Sequence, residues 1–354
     1  MTIKVKFMAK THAEQDPQLW TSLLPGTEQR WGDCVFTFDM DDRQYDWLVV
    51  YEGLPMLPGE RQVNRVEPLA CPKQKSLFIT TEPASIRVEG PHYLGQYGHI
   101  LSAKPTSVIH HPNQISETPP LRWFYGRPLG GQPGHYISFD AFTTRAPLEK
   151  TKTLSTVCSN KQMSHTVHSQ RYNFTMDMKE RLGDLFDVFG RGINPIARKD
   201  EAMDAYRYHL TIENHRAEGH WTEKLADAWL ANCLPFYYGA PDYAKDFPEE
   251  AAIPIDIFNI DQAEKIIRKA IAGNEYEKRL PAILEARRLI LEKHNLIAVI
   301  SKTVERLESD LPKNLPIGGE ILGRHLFRRR HPLLAMSDAF HSLKIKKSGI
   351  SRAN

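Results

Sequence analysis

The sequence predicts an α/β protein built from two parallel-sheet domains, and three observations lead there. At 354 residues the chain is long for one hydrophobic core, so two domains of ordinary size are expected. Its first half carries short apolar, β-rich runs separated by polar loops. In its second half, strand-like runs alternate with stretches of helical spacing, the pattern that places helices on both faces of a parallel sheet.

Taken in order, IKVKFM, CVFTF and DWLVVY are the first strands. Asp46 to Tyr51 reads as a buried parallel strand before a turn at Gly53 and Pro55, and SLFITTEP (76–83) as another, ending in polar residues where the chain leaves the sheet. Residues 104–150 are rich in Pro and Gly and read as loop, including the link between domains. Within them RWFYGR sets Trp123, Phe124 and Tyr125 between arginines, either a stacking face for a sugar or packing at a domain border. The second half restarts with LSTVCSN as a strand. There follow a helix from about Asn173 to Leu185, a strand at Asp187 to Phe189, a turn at Gly190 and Gly192, and a helix from about Lys199 to Tyr206. Strand YHLTIEN, a helix opening at Thr222, strand CLPFYYG and helix DQAEKIIRKAI complete the series. The predicted division is 1–150, 151–310 and a basic tail 311–354, with a cleft between the two domains.

Composition is that of a globular protein, with 41% hydrophobic and 25% charged residues. No stretch approaches the roughly 18 to 20 uninterrupted apolar residues that span a bilayer, and the N-terminal apolar run is shorter than a signal peptide needs. A cytoplasmic location is therefore expected. Cys34, Cys71, Cys158 and Cys233 lie far apart with no CxxC pair, which points away from a zinc knuckle or a disulfide framework. The net charge of +3 hides an asymmetry: residues 311–354 hold four Lys and five Arg against Glu320 and Asp338, a net of +7, so the rest sums to −4. A body of that charge shows no nucleic-acid footprint. In the tail, Leu322, Leu326 and Phe327 stand among Arg324, Arg328, Arg329 and Arg330, and Leu333, Leu334, Met336 and Phe340 precede Lys344, Lys346 and Lys347. Two readings stand: a segment lying on an anionic membrane surface, or a terminal helix packed back on the first domain.

The chemistry concentrates at one helix start. In an open parallel sheet, ligands bind beyond the carboxyl ends of the strands. YHLTIEN delivers Glu213 and Asn214 to that edge, and the loop HRAEGH leads to a helix whose Leu225, Ala228 and Trp229 recur at helical spacing. Free N–H groups at residues 221–224 and the charge of Lys224 make an anion site, and Glu223 suits a ligand that also carries hydroxyls. The alternative is a helix capped by Thr222 with a solvated Glu–Lys pair.

The run YRYHLTIENHRAEGHWTEKLADAWLANCLPFYYGAPDYAKDF closely resembles the donor-binding region of the α1,3-fucosyltransferases of bacterial type, the tenth glycosyltransferase family, and the likeness extends through PIDIFNIDQAEKI. It covers roughly residues 171–275, with several separated elements in order, whereas the first 150 residues resemble the family only in outline. The resemblance implies a GT-B architecture, two Rossmann-like domains facing each other across a cleft, with GDP-fucose on the second. Lys224 would sit on the diphosphate, Glu223 on the ribose hydroxyls, and Arg171, in SNKQMSHTVHSQRYNF, on a phosphate. Glu213, Asn214, Gly219 and His220 would complete the donor site, although relatives often have Tyr where His220 stands and turn geometry alone would explain Gly219.

The implied reaction is an inverting displacement at the fucose anomeric carbon onto a hydroxyl of a GlcNAc-type sugar. Glu82, at the end of FITTEP, resembles the family's base, the competing reading being a cap before Pro83. No tightly bound cofactor is implied, and a divalent cation, Mn2+ or Mg2+, would act as a stimulant. Asp39 to Asp42 (DMDD) read as a solvated loop, and adjacent His110 and His111 point apart, so neither reads as a metal site. The implied partners are GDP-fucose and a glycan, which for a lipid-linked acceptor such as a lipopolysaccharide would agree with a peripheral place on the inner membrane face. Two alternatives remain: another nucleotide-sugar donor on the same architecture, and a non-catalytic nucleotide- or glycan-binding protein.

Overall fold

The computed structural model describes residues 2–10, 18–56, 59–117, 121–129, 136–160 and 167–348. Its contacts divide the chain into unit 1, Met1–Pro120 with Leu296–Asn354, and unit 2, Leu121–Asn295.

Unit 1 begins with strands β1 (Ile3–Ala9), β2 (Arg30–Trp31), β3 (Cys34–Thr37), β4 (Trp47–Tyr51), β5 (Val66–Pro68), β6 (Ser76–Ile79), β7 (His99–Leu101) and β8 (Gln114–Ile115), with short helices α1 (Gln18–Thr21) and α2 (Pro91–Leu94). The sheet order is β2-β3-β1-β4-β6-β7-β8. Every pairing in it is parallel except β2 with β3. WLVVY and SLFI are buried along their whole length, as expected of parallel strands covered on both faces.

Unit 2 contains α3 (Phe139–Thr144), β9 (Lys152–Val157), α4 (His168–Leu182), β10 (Phe186–Phe189), β11 (Tyr206–Ile212), α5 (Glu223–Leu230), β12 (Leu234–Tyr238), β13 (Ile253–Pro254), α6 (Ile260–Ala272) and α7 (Glu275–Glu292). Its sheet runs β10-β9-β11-β12-β13, wholly parallel. The chain then returns to unit 1 through α8 (Leu296–Asp310), β14 (Glu320–Leu322), α9 (Arg324–Arg330) and α10 (Pro332–Lys347). The two parallel α/β sheets are those the sequence led us to expect.

The boundaries fall elsewhere than at residues 150 and 310, for identifiable reasons. The segment after residue 120 is bound to unit 2 because the buried Asp227 of α5 accepts the backbone N–H groups of Phe124 (2.7 Å) and Tyr125 (2.8 Å). Lys150 adds donations to the carbonyls of Asp204 (2.9 Å) and Ala231 (2.6 Å). Helix α8 belongs to unit 1 because Glu305 accepts the Asp33 N–H (2.7 Å) and Glu308 the Trp47 Nε1–H (2.7 Å).

Residues 311–348 are no loose appendage either. Strand β14 pairs antiparallel with β5, and Ile321, Leu322, Leu326 and Phe327 enter the same buried cluster as Leu48, Val50 and Phe78. Asp338 of α10 accepts the backbone N–H groups of His92 and Tyr93 (3.0 Å each), satisfying the open N-terminus of α2. Ile345 is buried with Ala84, Val88 and Val108. Residues 349–354 lie outside the described residues. No helix among the described residues is long and apolar enough to cross a membrane.

Candidate functional site

In unit 2 the chain lays down β9, places β10 on one side of it, and then crosses to place β11 on the other. The connections after β9 and β11 therefore diverge, and a crevice opens at their carboxyl ends, the topological switch point at which open α/β sheets hold ligands. Beyond β9 stand Cys158, Ser159 and Asn160; beyond β11 stand Glu213 and Asn214.

Two charged clusters occupy this edge. Arg171, in the first turn of α4, is buried and donates through Nη1 to Asn214 Oδ1 (2.6 Å), joining the element after β9 to the end of β11. Its Nε–H has no hydrogen-bond partner among the described residues, so the guanidinium retains donor capacity at the edge. The intervening residues 161–166, part of the SNKQMSHTVHSQRYNF run, lie outside the described residues.

The second cluster is the start of α5. Thr222 is its N-cap: extended in backbone, with Oγ1 accepting the Lys224 N–H (3.3 Å). The buried Glu213 carboxylate accepts the Thr222 N–H (2.9 Å) and hydroxyl (2.6 Å) and pairs with the Lys224 ammonium (3.2 Å). Lys224 in turn donates to Glu223 (3.0 Å). Burial pushes the Glu213 pKa up against the pull of Lys224. Burial also acts to raise Glu223, but Lys224 and Lys199 outweigh it and bring that carboxyl down to about 2. For Lys224, burial favours the neutral amine, yet Glu213 and Glu223 hold its pKa above the ordinary value. The ammonium thus stays charged between one firmly ionised carboxylate and one more easily protonated, at the positive end of a helix dipole. Such an arrangement can exchange its internal pairing for the oxygens of an anion while leaving carboxylates to accept hydroxyl protons.

Arg171, Glu213, Asn214, Glu223 and Lys224 are thus gathered on one edge. Gly219 and His220 belong to the loop that leads there. Gly219 has φ +62°, and its N–H is already used, donating to Asp242 Oδ1 (2.8 Å); turn geometry accounts for this glycine. His220 packs its ring edge-on against His215, 5.6 Å between centroids. Two glycines that the sequence marked only as a turn lie tight against the residues that follow β9. A Cβ on Gly190 would lie 2.0 Å from the Cys158 carbonyl oxygen, and one on Gly192 2.4 Å from Asn160 Nδ2. Both also stand at positive φ, +134° and +83°, where a side chain is disfavoured.

Glu82 belongs to unit 1. It is exposed and follows β6 after Thr80 and Thr81, at the carboxyl edge of that sheet. The other marked residues have structural roles. Trp123 and Tyr125 are buried against Phe142, while Lys199 lies over the Phe124 ring. Asp39 and Asp42 accept backbone N–H groups of their own turn. His110 packs on His341, and His111 bonds the Tyr97 carbonyl (3.2 Å).

Comparison with known proteins bears on the same stretch. Residues 147–275 match the family model described as glycosyltransferase family 10 (fucosyltransferase) C-term. The α-(1,3)-fucosyltransferase FucT of Helicobacter pylori is 34% identical over 74 residues, a match covering 21% of this chain and 16% of that relative. Among solved structures, an α1,3-fucosyltransferase with GDP-fucose aligns with 89% of this chain and 93% of its own at 16% identity and a TM-score of 0.46. Another α1,3-fucosyltransferase structure aligns with 88% of this chain and 91% of its own at 17% identity and a TM-score of 0.47. The part of the chain that holds Arg171, Glu213, Asn214, Glu223 and Lys224 is therefore a glycosyltransferase family 10 C-terminal domain.

Proposed function

We propose that this chain is an inverting glycosyltransferase that moves fucose from GDP-fucose to a hydroxyl of a GlcNAc-type sugar in a glycan. The observation that carries the reading is the paired cluster, Arg171 with Asn214 and Lys224 with Glu213 and Glu223, at the switch point of the matched domain. In this reading Lys224 and the spare N–H of Arg171 hold the diphosphate, and Glu223 accepts from the ribose hydroxyls. Glu82 takes the acceptor's hydroxyl proton as that oxygen bonds to the anomeric carbon. The bond from that carbon to the β-phosphate oxygen breaks, and GDP leaves with the electron pair, its added charge met by Arg171, Lys224 and the α5 N-terminus. A divalent cation, Mn2+ or Mg2+, would assist by pairing with the phosphates.

The test is GDP release from GDP-fucose across a panel of GlcNAc- and Gal-terminated acceptors, run beside UDP-sugars and GDP-mannose. Acceptor-dependent release from GDP-fucose alone supports the reading. Release only from another nucleotide sugar moves the donor, and tight GDP binding with no turnover of any donor leaves a binding protein.

A second feature favours a partner for the tail. Leu333, Met336, Phe340 and Leu343 recur at three- and four-residue spacing on the solvent side of α10 and are exposed, between Arg328 to Arg330 and Lys344, Lys346 and Lys347. We propose that this face rests on an anionic lipid surface, the apolar side chains entering and the cations meeting headgroups, as suits a lipid-linked acceptor. Failure of the full chain to co-sediment with phosphatidylserine vesicles at low salt would remove this proposal.

A further inference from the structure

Thr80 and Thr81, which lead from β6 to Glu82, are each gripped by a carboxylate. The buried Glu89 accepts the Thr80 hydroxyl (2.8 Å) and the Lys104 ammonium (2.6 Å), and forms an ion pair with Arg87 (2.9 Å). Burial acts to raise the Glu89 pKa, but Lys104 and Arg87 bring it below the ordinary value, so the grip is ionic. Glu52, the residue after β4, accepts the backbone N–H of Thr81, the Thr81 hydroxyl (2.7 Å) and Arg87 Nη1 (2.8 Å). Arg87 thus bridges both carboxylates.

Glu52 also stands at φ +63°, a region where every residue but glycine is disfavoured. The backbone there would be better served by glycine. What glutamate adds is a side chain whose oxygens reach both the main chain and the hydroxyl of the residue before Glu82, holding the backbone from which Glu82 follows. A base must meet the acceptor proton within hydrogen-bond reach, and misplacement by about 1 Å can cost 100-fold in rate.

We propose that Glu52 is a positioning residue for proton abstraction, acting through Thr81 on Glu82. The proposal rests on the reading of Glu82 as the base. A residue that served only the stability of unit 1 would show in the melting temperature; a positioning residue shows in kcat.

The test uses the full chain and measures kcat, both KM values, the pH profile of kcat and the melting temperature for Glu52→Gln, Thr81→Val, Thr81→Ser, the double variant Glu52→Gln/Thr81→Val, and Glu82→Gln. Expected are a loss of roughly 10-fold in kcat for Glu52→Gln and for Thr81→Val with KM near the parent value, and recovery in Thr81→Ser, which keeps the hydroxyl. The acid limb of the profile should move in Glu52→Gln. The double variant should be no slower than the slower single one, because both act on one link. Parental kcat in Glu52→Gln, multiplying losses in the double variant, or a loss that vanishes at temperatures well below the melting point overturns the proposal. Full transfer by Glu82→Gln instead refutes Glu82 as base, whatever Glu52 shows. A loss of about 100-fold in Glu52→Gln with Thr81→Val unimpaired makes Glu52 itself the base and overturns both.

Discussion

Lys224→Ala removes one ammonium from between two carboxylates, and the structure sets the size of the effect. In the unliganded protein Glu213 loses a partner at 3.2 Å but keeps both donations from Thr222, while Glu223 loses a bond of 3.0 Å. One or two charge-assisted contacts exchanged for water cost about 1 to 3 kcal/mol, so the variant should fold with a lowered melting temperature. When GDP arrives, its diphosphate meets the two carboxylates with one cation fewer. The same range corresponds to a Kd raised roughly 5- to 150-fold. The loss should depend on pH. Burial already raises the Glu213 pKa, and without Lys224 it rises further. Acidification then removes a negative charge beside the phosphates, so GDP affinity in the variant should improve as the pH falls. Isothermal calorimetry with GDP and with guanosine, which lacks phosphates, separates the outcomes. Unchanged GDP affinity, or guanosine weakened as much as GDP, would refute the assignment of Lys224 to the diphosphate.

Other expected outcomes rest on single features. His209 is buried against Ser155 (2.9 Å), and burial lowers its pKa to about 3. The unfolded chain therefore binds the extra proton, and stability should fall as the pH drops from about 6.5 toward 3, by at most about 1.4 kcal/mol per pH unit. Urea melts of His209→Asn should show a flatter acid limb; equal slopes would place that limb elsewhere. Gly190→Ala should destabilise unit 2 by at least about 1 to 3 kcal/mol, since its φ is strained for alanine and the added carbon would lie 2.0 Å from a carbonyl oxygen; an unshifted thermal melt would contradict this. A chain ending at residue 312 loses Ile321, Leu322, Leu326, Phe327 and Ile345 from buried clusters, at roughly 1.5 to 3 kcal/mol each, comparable to the whole stability of a domain. It should expose apolar surface to a dye such as ANS, and a cooperative melt like the parent's would refute the packing role of these residues.

Much of unit 2 was legible because its cues are local. Thr222 before Glu223 and Lys224, followed by Leu225, Ala228 and Trp229 at helical spacing, marks the start of α5 within a few residues of the chain. The strand ends at Glu213 and Asn214 were readable in the same way. The linkage of Glu213 to Thr222 was not, because it is made when strand end and helix start fold together. Helix α4 starts at His168, ahead of the expected Asn173, and the stretch after Lys199 forms only a 3-10 turn before β11. Helices α7 and α8 went unread although Tyr276, Ile283, Ala286 and Ile290 repeat at helical spacing, with Pro281 among them as a discordant signal. The reading of residues 311–354 as a tail followed their charge. Their apolar partners, such as Leu48 and Phe78, lie more than two hundred residues earlier, beyond the reach of any local pattern.

That return of the chain sets a timetable for synthesis. Unit 2 is one uninterrupted run, whereas unit 1 needs residues from both sides of it. Strand β5 emerges early and must wait for β14, and α8 must arrive before Glu308 can meet Trp47. At 5 to 20 residues per second, the 121–295 segment alone takes roughly 10 to 35 s to make. Through that interval the apolar strands of unit 1 stand partly uncovered, a natural station for a chaperone. Nascent chains stalled once residue 295 has cleared the ribosome should yield a protease-resistant fragment of unit 2 alone. On this schedule the edge that carries Arg171 and Lys224 is finished before the unit that carries Glu82 is closed.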